Sequence, residues 1–117
     1  EHCKKQGLNL LTGPGNDIVS TTNLTAAGAN IILFTTGRGT PLGASVPTIK
    51  VASNSRLAKR KSNWIDFNAG ELIKSNDFEN MTEEIFKLLI DIASGRQTKN
   101  EQNGYRDISI FKDGVIM

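Results

Sequence analysis

Thr35, Thr36, Arg38 and Thr40 fall within six residues, spaced by Gly37 and Gly39 and closed by Pro41. The guanidinium of Arg38 is a planar fork that matches a carboxylate or a phosphate. The hydroxyls beside it can bond a polyol, and the glycines let backbone amides come close to a ligand. That chemistry suits an anionic, hydroxyl-rich small molecule. The same residues also describe a tight glycine turn carrying a surface arginine.

Three other places hold polar groups that could meet a ligand. Lys50 is a cation near the same sheet edge. Asp66 and Asn68 alternate with Ile65, Phe67 and Ala69, so they share one face of a strand. They could bind a ligand or a metal-bound water, or cap the turn that follows. Asn54, after the strand holding Lys50, has the same two readings. The turn at 13–17, Gly-Pro-Gly-Asn-Asp, sits where a helix start could collect an anion, although turn-and-cap is the simpler account. It has neither the lysine of a P-loop nor the spacing of a dinucleotide fingerprint. The one histidine, His2, lies at the terminus, and no His/Cys/Asp cluster has metal-ligand spacing. A complete active site is not expected within this stretch.

Elements must position these groups. A strand is expected over 8–12, then the Gly13-Pro14-Gly15 turn, then a helix over 17–29 capped by Asn16 or Asp17. That helix is rich in Ser20, Thr21, Thr22 and Thr25, which are poor helix formers. The apolar run 31–35 reads as a central strand covered on both faces. Further strands are expected over 46–52 and 64–67, with a short helix capped by Asn54 running to Lys61. The strongest helix is 81–94. Asn80 and Glu83 have capping-box spacing there, and Ile85, Leu88, Leu89 and Ile92 form one stripe ended by Gly95. Residues 97–104 read as a polar loop within a tail over 96–117, and 108–111 as an edge strand. Strands alternating with helices argue for an α/β layered domain with a mainly parallel central sheet and flanking helices. In such sheets ligands sit beyond the carboxyl ends of the strands, where the 35–41 loop lies.

Bulk properties narrow the class. With 117 residues, 38% hydrophobic and 22% charged, the chain has the makeup of one folded domain. A net charge of +2 is too small to argue for nucleic acid. The basic run 56–61 reads as a solvated helix face. One cysteine, Cys3, excludes an internal disulfide and fits the cytoplasm. No apolar run approaches the roughly 20 residues of a membrane helix.

The linked stretches 28-GANIILFTTGRGTPLG-43, 46-VPTIKVASNS-55 and 64-WIDFNAG-70 resemble the C-terminal region of the altronate dehydratase/galactarate dehydratase family. The stretch 7-GLNLLTGPGNDIVSTTNLTAAGAN-30 is closer to the altronate branch, and the resemblance runs from residue 7 to about residue 95. The segment 43-GASVP-47 departs from the loop common in that family. The resemblance implies the C-terminal domain of a longer enzyme, with a Rossmann-like fold and a threaded connection among its options. It also implies a reaction, the loss of water from D-altronate to give 2-dehydro-3-deoxy-D-gluconate. A divalent metal, iron or manganese, would serve that reaction with its ligands in the remainder of the enzyme. The rest of the chain would then be this domain's partner. Two other readings stay open. One is a stand-alone binding module for an anionic metabolite or nucleotide. The other is a structural domain that forms a homodimer through the Ile85/Leu89 face.

Overall fold

A computed structural model describes residues 2–110. Its centre is a three-stranded, all-parallel sheet of β1 (Ile32–Thr36), β2 (Thr48–Ala52) and β3 (Phe67–Asn68), in the order β1-β2-β3. Among the described residues five α-helices accompany it: α1 (Asp17–Ala26), α2 (Ser55–Arg60), α3 (Leu72–Ser75), α4 (Phe78–Ala93) and α5 (Lys99–Gln102). The domain is therefore α/β, as the alternation of elements implies. No helix among the described residues is long and apolar enough to cross a membrane.

The middle strand is β2, not the apolar run at 31–35. All five residues of β2 are buried, including Thr48 and Lys50. β1 is an edge strand among the described residues, and its Leu33 is 49% exposed. An apolar run signals burial only on average. Here the more polar strand takes the centre because its polar groups find partners inside. Ile49 and Val51 face one way and pack with Ile92, Ile85, Leu88, Leu89 and Phe67. The stripe on α4 is thus used within the domain, where Ile85 and Leu89 are partly buried against β2. Ala52 faces the other way and packs with Leu57 and Ile65.

Several elements begin where local hydrogen bonds dictate. Asn16 caps α1 by accepting from the Val19 N–H. The threonines of α1 turn their hydroxyls back onto carbonyls one turn earlier, Thr21 onto Asp17, Thr22 onto Ile18 and Thr25 onto Thr21. These bonds leave no hydroxyl of the three stranded, although back-bonding of this kind does not raise threonine's helix propensity. The helix ends sooner than expected, at Ala26, where Gly28 takes a left-handed φ of 109°. α4 starts three residues earlier than expected, because Asp77 rather than Asn80 caps it and accepts from the Asn80 N–H. Its end at Gly95, with φ 108°, is as expected.

Four expected segments differ. Residues 8–12 form no strand and find no sheet partner; Leu8 stands 94% exposed. The expected strand at 64–67 shrinks to Phe67–Asn68, because Trp64 closes a turn from the Lys61 carbonyl. Residues 97–104 are not simply a loop. Thr98 and Glu101 form a reciprocal capping box that starts α5, and both Thr98 and Asn100 are buried. Asn100 donates to the Thr48 carbonyl, which fastens α5 beneath β2. Residues 108–110 form no strand, and Phe111 lies outside the described residues.

Gly70 shows how tightly β3 meets α2. It follows β3 in a single 3-10 turn, Ala69–Glu71, and a Cβ there would run into the backbone of Asn54 and Ser55. Backbone cannot swing aside as a side chain can. Gly70→Ala is expected to destabilise the domain by about 1–3 kcal/mol. A lower denaturant midpoint with an unchanged slope is the sign to look for.

Candidate functional site

Because the strands are parallel, their carboxyl ends share one edge of the sheet. They also end level, since Thr36 pairs with Ala52 and Ala52 pairs with Asn68. Three connections leave from that line: the glycine loop after β1, the Ser53-Asn54 turn after β2, and the Ala69–Glu71 turn after β3.

Asn54 binds the first two together. Its Oδ1 accepts from the Leu57 N–H at 2.9 Å and caps α2. Its Nδ2 donates to the Gly37 carbonyl at 3.1 Å. The loop closes on itself where the Thr36 hydroxyl accepts from the Gly39 N–H at 2.9 Å. Gly39 has a left-handed φ of 84°, and a Cβ there would stand 2.9 Å from Leu57 Cδ1. The left-handed φ is what calls for glycine, and its bareness lets the loop lie on α2 without displacing the Leu57 side chain. The result is a cleft of about 440 Å³ lined by Gly37, Arg38, Asn54, Arg56, Leu57 and Arg60.

A second polar group stands beside it. Asn68 Nδ2 donates to Glu71 Oε1 at 2.9 Å and to Ser55 Oγ at 3.1 Å. The Ser55 hydroxyl donates to the same carboxylate oxygen at 2.8 Å. That serine bond, helped by Lys74, Asn68 and Lys59, keeps the Glu71 carboxyl below the usual range against an opposing desolvation. Glu71 is therefore an anion at neutral pH and accepts hydrogen bonds.

The sequence candidates thus separate. Gly37, Arg38 and Asn54 line the cleft. Thr36 and Gly39 shape its loop. Asn68 stands next door through Ser55. Thr35 is exposed and lies on the opposite sheet face from Thr36. The Thr40 hydroxyl accepts from the Leu42 N–H at 3.4 Å. Lys50 lies beneath the loop, wholly buried, with Nζ donating to the Thr40 carbonyl and standing 5.8 Å from the Phe34 ring centre. The Asp66 carboxylate accepts from the Lys50 N–H at 2.8 Å and the Lys99 N–H at 2.9 Å, so it ties β2 to α5. Neither Lys50 nor Asp66 lines the cleft. Arg56, Arg60, Ser55 and Glu71 were not among the sequence candidates. The i, i+4 spacing of the two arginines behind a cap at Asn54 is the signal that puts them on one helix face.

No group of three or more His, Cys, Asp or Glu among the described residues is placed to hold a metal ion.

The profile of the family described as "D-galactarate/Altronate dehydratase, C-terminal" matches residues 1–116. The chain belongs to this family. It is 50% identical over its whole length to altronate dehydratase of Escherichia coli (strain K12), covering 24% of that protein. It is 47% identical to altronate dehydratase of Bacillus subtilis (strain 168), again covering 24%. To galactarate dehydratase (L-threo-forming) of Escherichia coli it is 36% identical over 96% of this chain and 22% of the relative. The chain therefore spans about a quarter of the length of the curated relatives it matches.

Within this family domain, burial away from water pulls the Lys50 ammonium from its ordinary 10.5 down to about 8, against the opposing pull of Asp66, Asp107 and Asp17. The folded chain then holds that proton less firmly than the unfolded chain. The buried charge costs stability below about pH 8, and the cost fades as pH rises from about 8 toward 10.5. Lys50→Met removes the titration. The unfolding free energy of the native chain, minus that of the variant, is expected to rise between pH 7.5 and pH 10 in urea titrations. A difference that stays flat across that range contradicts the lowered value.

Proposed function

We propose that this domain is the C-terminal part of a sugar-acid dehydratase, a hydro-lyase that converts D-altronate to 2-dehydro-3-deoxy-D-gluconate and water. The observation that carries the reading is the cleft at the level strand ends, where Arg38 stands on a loop fixed by Asn54. It occurs in a chain half identical, end to end, to a protein named altronate dehydratase.

In this reading Arg38 grips the substrate carboxylate through two parallel hydrogen bonds. Asn68, Ser55 and the Glu71 carboxylate, one connected group on the same edge, meet the sugar hydroxyls. Elimination begins with loss of the proton beside the carboxylate. The C–H electron pair moves into the carboxylate, and the proton goes to a general base. The pair then forms the new C=C bond as the neighbouring hydroxyl leaves, protonated, as water. The enol so made becomes the 2-keto product. The hard moment is the doubly charged intermediate, which needs fixed cations and donors around it.

We place the general base, and the ligands of a divalent iron or manganese ion, in the remainder of the polypeptide. The domain's partners are then the sugar acid and the rest of its own enzyme. We assign it to the cytoplasm, the compartment that a chain with a single cysteine fits.

Arg38→Ala in the full-length protein is expected to lower turnover of D-altronate at least about tenfold, or roughly 1.4 kcal/mol of transition-state binding. Unchanged steady-state kinetics would remove Arg38 from the site.

A further inference from the structure

The basic run 56–61 has the composition of an ordinary solvated helix face, but the fold gives two of its members another setting. Arg56 lies in the first turn of α2, which contains no acidic residue. The free N–H groups of a first turn disfavour a cation, so Arg56 is placed against the helix's own field. Arg60 lies one turn on and lines the same cleft. Like charges at this spacing repel. Arg38 is a third guanidinium, brought across by the Asn54–Gly37 bond and by Gly39 lying on Leu57.

None of the three is paired with a carboxylate among the described residues, where the ion pair is Arg96 with Asp91. Glu71, the carboxylate on the same edge, is engaged with Ser55 and Asn68. Three positive groups thus line one small cleft with no counter-charge of their own. A single carboxylate in its ground state carries one negative charge and leaves two of them unmatched.

We propose that Arg56 and Arg60 join Arg38 in one site for a compact oxyanion bearing two negative charges. Two sources have this chemistry. One is the substrate carboxylate once it has taken up the C–H electron pair, a source that rests on the dehydratase reading above. The other is a free dianion such as inorganic phosphate, which does not depend on that reading.

The test uses the full-length protein, at constant ionic strength, as wild type, Arg38→Gln and the double variant Arg56→Gln/Arg60→Gln. Turnover of D-altronate and calorimetric binding of inorganic phosphate are both measured. If the reacting substrate is the source, the double variant loses at least about tenfold in kcat with KM nearly unchanged, since the contact is made only in the transition state. If a free dianion is the source, its phosphate affinity falls at least about tenfold instead. Arg56→Lys/Arg60→Lys keeps the charges and is expected to recover part of whichever quantity was lost, which a role in folding alone would not require. A double variant with wild-type kcat and wild-type phosphate affinity overturns the proposal. If Arg38→Gln alone loses turnover, the dehydratase reading stands without it. If the wild type turns over no sugar acid yet binds phosphate through the pair, that reading falls and the site remains.

Discussion

One amide side chain joins the two halves of the cleft. Asn54 satisfies the start of α2 with its oxygen and fastens the glycine loop with its nitrogen. Both bonds come from a planar group with no freedom to make one at the expense of the other. The loop on its own has few internal ties, chiefly the bond from Gly39 to the Thr36 hydroxyl. Its position over α2, and with it the position of Arg38, therefore derives from a residue in the turn that joins β2 to α2. Gly70 supports the same junction from the other side, where β3 meets the backbone of Asn54 and Ser55.

Beneath this edge the interior is more polar than the composition suggests. The Asp66 carboxylate receives two backbone N–H groups, from Lys50 and Lys99, and so serves as a joint between β2 and α5. Thr98 and Asn100 bring further polar atoms inside. Buried polar groups are stable only when bonded, and here nearly all are; Asn100 Oδ1 is the buried side-chain atom without a partner among the described residues. Lys50 is a buried cation whose direct contacts are a carbonyl and an aromatic face, with Asp66, Asp107 and Asp17 partly offsetting the burial of its charge. Its ammonium braces the far end of the glycine loop at Thr40, while Asn54 holds the near end at Gly37.

What the sequence made legible was local. Caps at Asn16 and Asn54 follow from side chains reaching an amide three residues on, and the left-handed Gly95 ends α4 within one turn of its stripe. The parallel α/β plan follows from the alternation of strands with helices. What stayed hidden depends on distant partners. Asp66 reaches α5 across 33 residues. The centre of the sheet went to β2, since a strand's place depends on which neighbours pair with it, and no strand carries that information alone. Arg56 and Arg60 are exposed, as a solvated helix face requires, but their sharing a cleft with Arg38 exists only after the loop has folded onto Leu57. The 97–104 segment reads as a loop on its polar composition alone, whereas Thr98 and Asn100 are buried.

The level ending of the strands has a further implication. Thr36, Ala52 and Asn68 stand side by side in one row, so the groups that follow them inherit their separation from the sheet's hydrogen-bonded spacing of about 4.8 Å. Neighbouring rows of a ladder cannot drift independently. Evolution can therefore rewrite individual side chains along this edge and alter what the domain recognises, while the scale of the recognised object stays set by backbone geometry that no single side chain controls.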